Sequence, residues 1–167
     1  MSPSQTSEPP LGFARHDHAH CVADALEAAE AWCAQEGLRF TPVRRRALEI
    51  LLEEHRAMGA YDVLERLQSE GLGAQPPAAY RALDFLVANG FVHRVERLNA
   101  FIACAHPGED HVPAFLICTE CRRVAETVVL PGMQALGAAA RASGFRLDRV
   151  LVEAEGRCAR CQEQHAS

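Results

Sequence analysis

Apolar residues recur every three or four positions through the first half of the chain, then every second position in several short runs. Residues 24–35, DALEAAEAWCAQ, read as a helix stopped by Gly37. A second helix follows in RFTPVRRRALEILLEEH, where Thr41 is a good N-cap and Pro42 suits the first helical position. Val43, Ala47, Leu48, Leu51 and Leu52 form its apolar stripe. AYDVLERLQSE predicts a third helix closed by Gly71. PPAAYRALDFLVANG predicts a fourth, opened by proline and ended by Asn-Gly. FVHRVE and AFIAC then alternate as two strands around RLN, a hairpin. Helices followed by a short hairpin give the order of a winged helix-turn-helix, whose last helix enters the DNA major groove.

AHPGEDHVP, residues 105–113, has the composition of a hinge. Beyond it AFLIC, RVAETVVL and FRLDRVLVEAEG predict three strands, with PGMQALGAAARASG as a helix between the last two. Three strands and one helix are marginal alone, so this part is expected to pair with a second copy of itself. The fold class is α+β. Residues 1–20 read as a disordered tail, 21–104 as the winged-helix domain and 114–167 as a small α/β dimerisation domain.

Charge refines this picture only locally. The net charge is −5, and residues 1–36 carry all of it, with one arginine against six acids. Four arginines, at 39 and 44–46, fall within eight residues. Such a cluster, Arg44 and Arg45 within it, suits phosphate, although a solvated helix face has the same composition. No apolar run is long enough for a membrane helix, and MSPSQTSEPP is no secretory signal. A cytoplasmic location is therefore expected.

The seven cysteines include Cys118, Cys121, Cys158 and Cys161, two CxxC pairs separated by 36 residues. Two residues between cysteines let a tight knuckle aim both sulfurs at one ion, and two knuckles give the four-sulfur set that structural Zn²⁺ prefers. A redox pair would need a thiolate stabilised at a helix N-terminus, and strand-like sequence follows Cys121 instead. The expected role is a closed zinc clamp.

Four further donors bracket the hinge: His93, Cys104, His111 and Glu126. Two nitrogens, one sulfur and one oxygen suit Zn²⁺ and are softer than a typical manganese set. A metal joining them would fix the wing relative to the sheet. Spacing alone leaves open a half-buried His93 and a Cys104 that merely fills core. A zinc hydrolase using His93, Cys104 and His111, with Glu126 as base, is the rival from another class, although no HExxH motif is present. A CxxC thiol oxidoreductase is the other.

The runs RFTPVRRRALEILLE, AYDVLERL, PPAAYRALDFLVANGFVHRVE, FLICTEC and GRCARC resemble the Fur superfamily, and within it the zinc uptake regulator branch, over about residues 22–162. The resemblance implies a homodimeric, metal-dependent winged-helix repressor acting on zinc-uptake genes, with two Zn²⁺ per chain. Cys118, Cys121, Cys158 and Cys161 match the structural zinc site, and His93, Cys104, His111 and Glu126 the sensing site. Tyr80 and Arg81 match the DNA-reading positions. The expected partner is double-stranded operator DNA, an AT-rich palindrome. Departures are Ala78-Ala79 where the family has Thr-Val, and EDHVPAFLIC where the iron regulators have a dense histidine run. An iron- or manganese-responsive regulator is the alternative within the family. His106 competes with His111 as a ligand, and HDHAHC, residues 16–21, reads equally as a weak metal site or a flexible tail.

Overall fold

The helical half packs as the sequence periodicity requires. The computed structural model describes residues 18–54, 56–72, 75–109, 111–127 and 132–165. Four helices come first: α1 (His18–Gln35), α2 (Pro42–Glu53), α3 (Ala60–Ser69) and α4 (Pro76–Ala88). Helix α1 begins six residues before the predicted start, inside the segment expected to be tail. Val22 explains the extension, because it continues the stripe of Leu26, Ala29 and Cys33 and packs on the same core. Residues 1–17, and the side chains of the 16–21 histidine stretch, lie outside the described residues.

Thr41 caps α2 as expected, its hydroxyl accepting the Arg44 amide at 3.4 Å, with Pro42 behind it. Helix α4 ends in a Schellman turn. The Gly90 amide bonds the Val87 carbonyl and the Phe91 amide the Leu86 carbonyl, at 3.1 and 3.0 Å. Gly90 sits at φ +72°, a conformation that glycine adopts without penalty. The turn delivers Phe91 edge-on to Trp32, with ring centroids 5.4 Å apart, so the C-terminal end of α4 is pinned to α1. The wing follows as β1 (Val92–Val95) and β2 (Ala100–Ala103), antiparallel, with Val92 opposite Ala103. Its tip is a 3₁₀ turn, Glu96–Leu98, closed by Asn99 in the left-handed region, where the sequence pattern predicts strand through Glu96 followed by RLN between the two strands.

The second half holds β3 (Ala114–Cys118), β4 (Val124–Thr127), α5 (Met133–Ala142), β5 (Val152–Gly156) and α6 (Ala159–His165). The strand order is β4-β3-β5, with β4 antiparallel and β5 parallel to β3. Strand β5 is shorter than predicted: residues 145–151 are not strand. The reason is register, since the five residues of β3 pair one to one with the five of β5 and leave residues 145–151 no partner. Residues 128–131 of the predicted RVAETVVL strand lie outside the described residues. Helix α6 is absent from the sequence reading, which took GRCARC only as a ligand pair.

Two cores result. One fills the helical half and includes Ile50, Leu51, Val63, Leu83 and Leu86. The other joins Val95 and Ile102 of the wing to Phe115, Ile117 and Val124 of the sheet. The wing therefore lies on the sheet through buried apolar contact, and the 105–113 segment, expected as a hinge, connects two parts that touch. Arg56, before α3, also pairs antiparallel with Arg123, just after the CxxC turn. No described helix is long and apolar enough to cross a membrane.

Candidate metal centre

Strand β3 ends at Cys118, and the chain turns back at once. The Arg122 amide bonds the Cys118 carbonyl at 2.9 Å, and Arg122 takes φ +58° to complete the turn. This knuckle brings Cys121 beside Cys118. The second pair is built differently. The Gln162 amide bonds the Cys158 carbonyl at 3.0 Å, so Cys158 lies at the start of α6 with Cys161 on its first turn. The four sulfurs lie within 4.8 Å of one another, and Cys121 and Cys158 are 3.7 Å apart. A tetrahedral zinc with Zn–S bonds of about 2.3 Å has S–S edges of about 3.75 Å. The sulfurs thus stand where that ion needs them, and too far apart for a disulfide bond.

The thiols are also prepared for charge. Burial pushes the Cys118 thiol up, but the amides of Cys121, Cys158 and Glu120 outweigh it and hold the pKa at about 6. The Cys158 amide lies 3.4 Å from the Cys118 sulfur. Strand β3 and a turn surround the first pair, and although the second pair starts α6, its sulfurs are gathered with the first pair's into one four-sulfur cluster rather than forming the separate dithiol of a thiol oxidoreductase.

The second cluster sits where the wing meets the sheet. His93 is on β1, Cys104 follows β2, His111 ends the connecting segment and Glu126 is on β4. Their donor atoms also lie within 4.8 Å of one another. Cys104 Sγ is 3.6 Å from His111 Nε2, and the two Nε2 atoms are 3.3 Å apart. The corresponding tetrahedral zinc edges are about 3.55 Å and about 3.35 Å. Glu126 Oε1 lies 2.8 Å from His111 Nε2 and 3.1 Å from His93 Nε2, hydrogen-bond lengths slightly tighter than a zinc edge of about 3.3 Å.

The supporting contacts aim these atoms. His111 Nδ1 lies 2.8 Å from the Glu109 carbonyl, so Nδ1 carries a proton toward that oxygen and Nε2 is the ring atom that faces the cluster. Glu126 Oε2 accepts the Ala105 amide at 2.8 Å, leaving Oε1 for the cluster. The His106 amide points at the Cys104 sulfur, 3.3 Å away. Glu126 is the one buried charged residue among those described. Its burial opposes ionisation, yet His93 and the Ala105 amide hold its pKa below the usual carboxylate range. Burial, then the Glu126 charge, push the Cys104 thiol up to about 12. His111 is lowered by burial, but the Glu109 carbonyl and Glu126 raise it by more.

All four predicted donors converge. His106 does not join the set: its ring lies edge-on to His111 with centroids 6.1 Å apart, while its backbone supports Cys104. Glu126 Oε1 lies within the donor set, so a metal held by all four residues would have neither the open position nor the free base of a zinc hydrolase. The Ala105 amide and the Glu109 carbonyl could not be read from the sequence, because backbone groups carry no signature.

On α4, Ala79, Ala82, Leu83 and Leu86 are buried, whereas Tyr80 is 52% exposed and Arg81 and Asp84 face solvent. The basic cluster divides. Arg46 is fully engaged, with Glu70 at 2.6 Å, Glu53 at 2.8 Å and Glu49 at 2.9 Å. Arg45 pairs with Glu30 at 2.8 Å in an exposed bridge. The Arg44 guanidinium lies 3.7 Å from the centroid of the Phe85 ring of α4. Among the described residues Arg81 makes no ion pair.

Residues 35–154 match the Ferric uptake regulator family. The zinc uptake regulation protein of Escherichia coli (strain K12) is 38% identical over 144 residues, 86% of this chain and 84% of that protein. A solved zinc uptake regulator complexed with zinc and DNA superposes with TM-score 0.83 at 37% identity, covering 87% of this chain and 98% of the other. Holo XcZur superposes at 0.77 with 38% identity, over 84% and 98% of the two chains. Apo XcZur, at 40% identity over 84% and 97%, reaches only 0.50. At nearly equal identity, the chain superposes better on the holo relative than on the apo one. The metal clusters, the exposed face of α4 and these likenesses agree: the chain belongs to the Ferric uptake regulator family.

Proposed function

We propose that this chain is a zinc-responsive transcriptional repressor, with Cys118, Cys121, Cys158 and Cys161 as a structural zinc site and His93, Cys104, His111 and Glu126 as the sensing site. One observation carries the reading: a zinc-shaped donor set draws two ligands from the wing, one from the connecting segment and one from the sheet. A metal held there joins parts that are otherwise held by weaker contacts. The relatives named for zinc uptake regulation, and the closer likeness to the holo relative, support zinc as the metal.

His93, Cys104, His111 and Glu126 would hold the ion, which would supply charge and chelation rather than a reaction and so would favour one orientation of the wing. His93 and Cys104 bring β1 and β2, Glu126 brings β4, and the Glu109 carbonyl keeps His111 in the ligating tautomer. In the proposed division, residues 21–104 read DNA, 105–113 connect, and 114–167 pair with a second copy. Two copies would then present their α4 helices to major-groove sites about 34–36 Å apart, or a multiple of that. On this reading Arg81 would read guanine and Tyr80 would stack or bond beside it, with Arg44 and Arg45 meeting the DNA backbone. Moving such an equilibrium from 1:99 to 99:1 takes about 5.5 kcal/mol of differential binding, which is modest for one chelated zinc.

The test is DNA binding to an AT-rich palindrome from a zinc-transporter promoter, with free zinc set by a chelator buffer and zinc per chain counted. Two zinc per chain, with binding that appears as the second is taken up, is the expected result. Binding restored by Fe²⁺ or Mn²⁺ at lower free metal would assign another metal. Binding that ignores metal would overturn the sensor.

A further inference from the structure

The register of the second sheet places Glu126, Phe115 and Glu153 in one row across its three strands. Phe115 is opposite Glu126 in the β3–β4 pair and opposite Glu153 in the β3–β5 pair. Paired residues in a sheet point to the same face, so the two carboxylates flank one aromatic ring. That ring is 1% exposed and lies 5.8 Å from the His93 ring, centroid to centroid. The face it marks is therefore the one on which the wing lies.

The two carboxylates do the same thing at opposite ends of the wing. At the base, Glu126 Oε2 accepts the Ala105 amide at 2.8 Å. At the tip, Glu153 accepts two amides, from Glu96 at 2.6 Å and from Arg97 at 2.9 Å. These are the first two residues of the 3₁₀ turn, whose amides have no partner within the turn. A carboxylate facing two such amides makes charge-assisted bonds, about twice as strong as neutral ones. The neighbouring Arg97–Glu155 and Arg149–Glu96 pairs, at 3.1 and 3.7 Å, join exposed side chains and contribute little.

We infer that Glu153 is a positioning residue: its carboxylate is a metal-independent latch that holds the wing tip on β5, so that zinc has only the base of the wing to close. This inference rests on the proposed sensing role, but its structural half does not. With the latch, the zinc-free chain already spends part of its time with the wing docked, and less free zinc is needed to complete the closure. Without it, zinc must also supply the docking of the tip.

The full-length protein is compared with Glu153→Ala and Glu153→Gln. Glutamine keeps one acceptor oxygen but turns an NH₂ group toward the second amide, so its effect falls between the other two. Two readouts are taken. Amide hydrogen exchange at Glu96 and Arg97 is measured in chain loaded only at the four-cysteine site. The free-zinc midpoint of DNA binding is measured in a chelator buffer. Glu153→Ala is expected to abolish protection of both amides and to raise the zinc midpoint by roughly tenfold, the size of one or two charge-assisted hydrogen bonds at a partly exposed site. Arg97→Ala, which removes only an exposed ion pair, is expected to leave both readouts unchanged. A role in stability alone would lower the melting temperature and leave the midpoint in place, and that result overturns the inference. Unprotected amides in the wild-type chain overturn it too. If Glu153→Ala does not fold, Glu153→Gln decides by the same two criteria. If the wild-type chain binds DNA without regard to zinc, the sensing role falls, and the exchange data alone decide whether the latch exists.

Discussion

Replacing Cys104 by serine removes one donor from the proposed sensing site and almost nothing else. The residue is 6% exposed, and its amide bonds the Phe91 carbonyl at 2.9 Å, a contact that the substitution leaves alone. A serine hydroxyl there would find one partner already aimed at it, the His106 amide, which lies 3.3 Å from the sulfur, whereas His111 Nε2 at 3.6 Å is beyond hydrogen-bond reach of an oxygen. It would therefore be buried but satisfied, and the metal-free chain should keep its stability to within about 1 kcal/mol. The loss falls on the metal. Zinc sites with four protein ligands contribute about 10–16 kcal/mol of apparent binding free energy, so one ligand of the four carries roughly 2.5–4 kcal/mol. A neutral serine recovers little of it. The expected fall in affinity at this site is on the order of 10²–10³-fold. Competition against a chelator of known affinity, with zinc counted per chain, reads it directly. The variant should hold the clamp zinc, lose the second, and bind operator DNA only at correspondingly higher free zinc. If it takes up the second zinc within about threefold of wild type, Cys104 is a core residue and the site is not the one described.

Other expectations are as direct. Because burial and then the Glu126 charge hold the metal-free Cys104 thiol at about 12, zinc must displace its proton at neutral pH. Affinity at this site should thus rise about tenfold per pH unit between pH 7 and 8, and calorimetry in buffers of different ionisation enthalpy should find at least one proton released. An affinity independent of pH would show the thiolate to be preformed or absent from the site. Cys161→Ser should release the clamp zinc and increase exchange along β5 and α6, while α1–α4 stay protected. Arg81→Ala should weaken specific DNA binding by about 1–3 kcal/mol and relax the preference at one base, with both zinc affinities unchanged. A loss of zinc in that variant would show that Arg81 acts on the fold instead.

The parts of the molecule read most directly from the sequence are those governed by local rules. The stripe of Ala47, Leu48 and Leu51 and the Thr41-Pro42 start define α2, and Asn89-Gly90 closes α4, because periodicity and caps are short-range. The two CxxC pairs announced a four-sulfur cluster because their spacing is itself the geometry. What remained hidden depends on distant partners. The end of β5 is set by the length of β3, and no local signal marks it. The sequence could not separate Arg46 from Arg44, since the difference lies in Glu70, 24 residues away. Residues 105–113 have the composition of a free hinge, yet Ala105, Glu109 and His111 all serve the second cluster from within them. Glu153 carried no sign at all, because its partners are two backbone amides 57 and 56 residues distant.

One short hairpin, β3–β4, carries donors for both clusters: Cys118 and Cys121 for one and, five residues on, Glu126 for the other. On the proposed assignment this imposes an order on the life of each molecule. A clamp filled first would brace the turn from which β4 starts, and with it the strand that carries Glu126 to the second ion. The protein must therefore be fed the substance whose scarcity it reports, and a chain synthesised under severe starvation would be deaf rather than merely silent. Its memory of earlier plenty would be kept by older copies, whose clamp was filled before supply ran down.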